Sequence, residues 1–227
     1  MILERKIGFR RFDRAFTLIE MVTVIAILVI LMTSGISLLN GTGTQSRKAG
    51  TDMISGLIEQ ARTIAITSRS EVLMAIAEPG DLVGTDERCR IGLFRLRAPV
   101  TGAAPGAPDR YDLLTRWQTL NTGVVLIGRQ QNDPPIANQL KNPLDEPQVN
   151  IVYGPPGKEI TLNAHVISIN SRGSLKLPTG TGPISIRIAE GAYRKKVATA
   201  NIRSGANGPT ENLLRVGRVT ARPYRID

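Results

Sequence analysis

Residues 14–32 read RAFTLIEMVTVIAILVILM, and the fold hangs on them. Residues 24–32 are all apolar. The wider span 17–39 carries a single charge, Glu20. At 1.5 Å rise per residue such a helix is about 35 Å long, enough to cross a hydrocarbon layer with slight tilt. It is too long for a secretory h-region, and no small-residue cleavage pattern follows it. Arg5, Lys6, Arg10, Arg11 and Arg14 all precede it. The positive-inside rule therefore predicts a cytoplasmic N-terminus and an extracytoplasmic C-terminal domain.

Glu20 stands out chemically. A carboxylate at the centre of a membrane helix costs on the order of 2.5–3.5 kcal/mol. In the first turn the helix dipole favours an anion and the cost falls. On physics alone, an interfacial glutamate without a role fits equally well.

Residues 15–20, AFTLIE, followed directly by the apolar run, resemble the prepilin leader of type IV pilins and type II secretion pseudopilins. The resemblance implies a basic leader cut by a prepilin peptidase and methyltransferase between Ala15 and Phe16. Phe16 becomes the N-methylated terminus and Glu20 the assembly glutamate. The family usually has Gly where this chain has Ala15. Ala15 is the one departure from the leader pattern. Within a filament, the resemblance implies that Glu20 of an incoming subunit neutralises a neighbour's terminal amine. Two charges desolvated together attract strongly at low dielectric.

The implied layout has a leader at 1–15, a transmembrane helix at 16–39, an amphipathic helix extension at 40–70 and a β-rich periplasmic head at 71–227. The 227 residues leave roughly 190 beyond the apolar run, enough for one domain with its own core. Aromatic content is 4%, so the core must rest on Ile, Leu, Val and Ala. The formal charge is +10. Five basic and two acidic residues put +3 of it in the leader. A basic balance fits nucleic acid or anionic lipid, but a solvated basic surface is the commoner meaning. Cys89 is the only cysteine, which excludes an intramolecular disulfide.

Asn40, Gly41, Gly43 and Gly50 predict a bent or loosened stretch of helix. Beyond it Ile54, Leu57, Ile58, Ala61, Ile64 and Ala65 recur at helical spacing, ending near Arg69. Strand alternation begins at Val72, Met74 and Ile76 and returns at Ile184, Ile186 and Ile188. Further strands are predicted at 90–97, 115–120, 123–128, 149–153, 158–170, 173–177, 194–203 and 213–221. The apolar parity switches within 158–170, which predicts a bulge or a strand changing sheets. Pro- and Gly-rich loops fall at 98–109, 131–147, 154–157 and 178–183. The fold class is α+β: a long N-terminal helix packed on an antiparallel sheet or sandwich head.

The head resembles, in layout, the H-class minor pseudopilins. SGLIEQARTIAITSRSEVLMAI leads into the first strand, SINSRGSLKL follows later, and LLRVGRVTARPY closes the chain. The Asp-Pro-Trp-Gly run of the major pseudopilin is missing, and Trp117 lies in LLTRWQTL.

No catalytic constellation emerges. His165 is the single histidine, and no zinc spacing, phosphate loop or nucleophile elbow is present. Asp81, Asp86 and Glu87 read as a solvated turn rather than a cation site. No enzyme activity, cofactor or metal is expected. The expected partners are the prepilin peptidase, other pseudopilins or pilins, and inner-membrane lipid. A second reading is a minor type IV pilin whose basic head binds DNA or a surface, with nucleic acid the lesser candidate.

Overall fold

The computed structural model describes residues 18–81, 88–97, 109–128, 140–194, 197–200 and 211–226, with the side chains of 29–43 and 226 left undescribed. The chain falls into two compact units, Met1–Thr42 and Gly43–Asp227. Ala15, Phe16, Asp86, Glu87 and most of the loops expected at 98–109 and 131–147 lie outside the described residues.

Helix α1 (Leu18–Ser68) continues through Asn40, Gly41, Gly43 and Gly50, where a loosened stretch was expected. Gly50 has a packing reason. A Cβ there would stand 3.3 Å from Val124 Cγ1 and 3.5 Å from Leu120 Cδ1, so its absence lets the helix sit close. The predicted stripe holds: Ile54, Leu57, Ile58, Ala61 and Ala65 are buried and Ile64 is half-buried.

The helix ends in a Schellman motif. Arg69 takes φ +49°, the Ser70 N–H reaches Ala65 O at 3.3 Å, and the Arg69 N–H reaches Ile66 O at 3.4 Å. A left-handed residue with a Cβ is strained. Arg69→Gly is therefore expected to stabilise the chain by about 0.5–1 kcal/mol, read as a higher midpoint in chemical denaturation.

Among the described residues twelve strands follow. The first seven are β1 (Val72–Ala77), β2 (Arg90–Leu96), β3 (Arg110–Leu113), β4 (Gln118–Thr119), β5 (Val124–Ile127), β6 (Val149–Tyr153) and β7 (Ile160–Ile169). The rest are β8 (Leu175–Leu177), β9 (Ile184–Arg194), β10 (Val197–Ala200), β11 (Glu211–Val216) and β12 (Pro223–Ile226). A 3-10 turn, Pro143–Asp145, is capped by Asn142, whose side chain accepts from Leu144 N–H at 3.1 Å and donates to Ile127 O at 2.8 Å.

The seven-stranded sheet runs β1-β2-β3-β6-β7-β8, with β4 on β2. Because β7 also pairs with β1, strands β1, β2, β3, β6 and β7 close a circuit. Every ladder is antiparallel except β3 with β6, which is parallel over two residue pairs and departs from the antiparallel expectation. The five-stranded sheet runs β10-β9-β11-β12, with β5 on β9.

Two cores result. The larger joins the α1 stripe to Val72, Met74, Ile76, Ile91, Leu93, Ile167 and Ile169 of the first sheet and to the apolar face of the second. The smaller lies on the other face of the circuit: Leu73, Ala75, Ala77, Phe94, Ile151, Leu162, Ala164 and Val166. Strand β1 feeds both cores, so all six of its residues are buried. Phe94 anchors the smaller core, edge-to-face with Trp117 at 5.5 Å and Tyr153 at 5.2 Å.

This arrangement explains the parity switch in β7. Leu162, Ala164 and Val166 face the smaller core, and Ile167 and Ile169 face the larger. The strand keeps to one sheet, correcting half of the expectation. An irregularity does occur, as a register shift against β8 between Ser168 and Ile169. The strand expected at 213–221 is also corrected. It ends at Val216, turns, and returns as β12, with Ala221 at φ +45° in the bend. The expected 115–120 shrinks to Gln118–Thr119, and β3 was not foreseen.

Candidate functional site

The first described turn of α1 holds Glu20, its only acidic residue there. Around it Leu18, Ile19, Met21, Val22, Val24, Ile25, Ile27 and Leu28 are all exposed, Leu18 by 83%. They point in every direction around the helix. A helix apolar on all sides is a membrane or interior helix in want of its surroundings. Thr23 returns its hydroxyl to Ile19 O at 2.8 Å, so its polar atom stays inside the helix. A carboxylate in the first turn of such an apolar helix calls for a cationic or hydrogen-bonding partner.

Residues 10–36 match the family model for the prokaryotic N-terminal methylation motif. The N-terminal segment is that of a type IV pilin-like or pseudopilin-like protein. Comparison with curated proteins and with solved structures gave no match. The pilin-like motif implies processing by a prepilin peptidase, assembly with other pilins, a membrane anchor and an extracytoplasmic body. It is a motif of structural subunits rather than of catalysts. Among the described residues no helix is long and apolar enough to cross a membrane. Much of the expected span 16–39, from residue 29 onward and at Phe16 and Thr17, lies beyond the described side chains. The match is confined to residues 10–36, and the H-class likeness of the head finds no counterpart among the matches.

Cys89 is fully buried, and burial pushes its thiol up to about 12. It is an apolar filler beside Tyr193. Burial also raises the Tyr193 hydroxyl, which donates to Leu126 O at 3.5 Å and accepts from Leu126 N–H at 3.2 Å. Composition gave no sign of this tie, which depends on β5 and β9 being neighbours. A cleft of about 460 Å³ lies at the β4–β5 turn, lined by Arg88, Asn121, Thr122 and Tyr193 among others. Its lining has no carboxylate, histidine or cysteine.

His165 is half-buried, with Nδ1 3.0 Å from Glu146 O. Nearby, Glu78 N–H donates to Asp81 Oδ2 at 3.0 Å, and Gln148 Nε2 donates to the same oxygen at 3.3 Å. Asp81 thus closes a turn, while Asp86 and Glu87, weighed together with it, lie outside the described residues. Among the described residues no group of His, Cys, Asp and Glu is placed to hold a metal.

Burial raises the Glu78 carboxyl above its ordinary 4.5, with the His165 charge opposing and Asp81 adding. The fold therefore binds this proton more tightly than the unfolded chain does. The stability it contributes is present below pH 4.5 and is lost as pH rises through the raised value. Glu78→Gln is expected to remove that loss and to stabilise the chain at neutral pH. Denaturation midpoints at several pH values for both proteins check it. A variant curve parallel to the parent's contradicts it.

Proposed function

We propose that the chain is a minor pseudopilin-like structural subunit of a type II secretion or type IV pilus-like filament. In this reading residues 1–15 are removed between Ala15 and Phe16, and Phe16 is N-methylated. Residues 16–39 anchor the subunit in the inner membrane with the N-terminus cytoplasmic. Residues 40–70 extend the helix, and 71–227 form the periplasmic head.

One observation carries the proposal: the matched motif lies over a helix that is apolar on every described side except at Glu20. Bilayer before assembly, and neighbouring helices after it, supply the missing surroundings. Glu20 then has one chemically sensible partner, the amine that cleavage creates on a neighbouring Phe16. Pairing there removes two desolvated charges together and sets the axial register.

Mass spectrometry of the mature N-terminus, in cells with the peptidase, tests this directly. A methylated Phe16 start is expected. A chain that keeps Met1 or Ile2 contradicts the reading, and an unmethylated Phe16 contradicts its methylation step alone.

A further inference from the structure

The five-stranded sheet has an outer face that the proposed assembly does not yet use. In register, Arg215 of β11 lies opposite Ser185 of β9 and Tyr224 of β12. Leu213 lies opposite Arg187. The intervening Leu214 and Val216 are buried in the larger core. Directly opposed residues share a face with Cβ atoms about 5 Å apart. Leu213, Arg215 and Tyr224 therefore form a patch directed away from the core. Tyr224 is 47% exposed, and Val219, in the turn joining β11 to β12, is 80% exposed.

The charge of this patch is one-sided. Glu211 is engaged by Arg187 at 2.9 Å, and Asp52 by Arg225 at 2.8 Å. Arg218 is held by neutral acceptors, Gly182 O at 2.7 Å and Pro178 O at 2.5 Å. Among the described residues, Arg215 and exposed Arg222 have no acidic partner. The Arg215 Nε is buried without a hydrogen bond.

An exposed aromatic, aliphatic side chains and arginines without lysine make up the mixture enriched in protein–protein contacts. A polyanion would use the arginines but gains nothing from Val219 or Leu213. We propose that the outer face of the β11–β12 hairpin docks a partner protein that presents a carboxylate beside an apolar pocket. Arg215 takes the carboxylate, Tyr224 fills the apolar part, and Arg222 steers the approach. The partner's nature rests on the filament reading: it is another subunit of the same assembly.

The test is a photo-reactive phenylalanine analogue at position 224 of the full-length chain, in the cells that process it. The expected result is an adduct with one protein, whose cross-linked peptide contains Asp or Glu at the contact. Arg215→Glu is expected to lower the yield by roughly tenfold, as loss of a close charge pair does. Reversing the partner's carboxylate to Lys should restore it. Arg215→Gln, which preserves the volume, serves if the charge-reversed chain folds poorly. The same analogue at position 24 reports contact through the N-terminal helix. An adduct at 24 with none at 224 overturns the docking face and leaves the filament reading standing. Loss of both overturns both. An adduct at 224 to a peptide without Asp or Glu overturns the carboxylate recognition. Salt-sensitive binding of a DNA duplex by the purified chain, lost in Arg215→Glu, overturns the protein partner in favour of nucleic acid.

Discussion

Gly191→Ala is expected to destabilise the chain by about 3 kcal/mol, the upper end of what overpacking costs. An added Cβ would lie 2.2 Å from Thr199 O and 3.0 Å from both Ala200 Cα and Val125 Cγ2. Two of those three atoms are backbone of the paired strand β10, so no side chain can swing away. The Gly191 N–H also bonds Gly123 O at 2.9 Å, which fixes its other side. Relief requires parting β9 from β10. Gly56→Ala is the matched control. Gly56 is exposed in α1, with nothing within 4 Å of its added Cβ, so the change should stabilise by about 1 kcal/mol through helix propensity. Denaturation midpoints of the two detergent-solubilised variants should move in opposite directions. Movement in the same direction contradicts the packing at β9.

Glu20→Ala should leave membrane insertion intact, since it removes the one charge from an apolar stretch. It should also abolish cross-linking to partner pilins. Losing one member of a desolvated ion pair costs about 3–5 kcal/mol, because the other charge remains buried. That corresponds to more than a hundredfold in subunit affinity. Glu20→Gln separates charge from shape: it keeps the side-chain length and can still accept one hydrogen bond. It should fail almost as badly if neutralisation of an amine is the role. Unchanged cross-linking in either variant contradicts the assignment.

What could be read in advance depended on whether the signal was local. The α1 stripe from Ile54 to Ala65 repeats at 3.6 residues and needs no knowledge of its partner. Strand β6 fell on its predicted residues, because VNIVY is short and bounded by turn residues. Glu20 was visible because it is the single charge in the span 17–39. By contrast, β3 is RYDL, four residues of which two are charged, and it gains its place from three antiparallel pairs with β2 and two parallel pairs with distant β6. The strand expected at 213–221 ran past the end of β11 into the turn that follows it, and β12 was not foreseen. The bend runs through turn residues 218–220, is closed by the Gly217 N–H on Arg222 O at 2.9 Å, and includes the left-handed φ of Ala221, which alanine does not advertise. The closed circuit was invisible for the same reason. It rests on β1 pairing with β7 across some ninety residues, while each strand taken alone looks like any half-buried one. The Arg215–Tyr224 patch likewise exists only in register.

Strand β1 is also a load path. It begins three residues after α1 ends and is hydrogen-bonded along both edges, to β2 over Val72–Ala77 and to β7 over Val72–Ile76. Ladder bonds lie across the strand. Tension arriving from the helix therefore shears two ladders at once instead of opening one bond at a time. Lys176 and Ser168 grip Glu71 at the strand's entrance, Lys176 at 2.6 Å. Tension along α1 would thus reach β1 before any other strand, and the β11–β12 hairpin last in chain order.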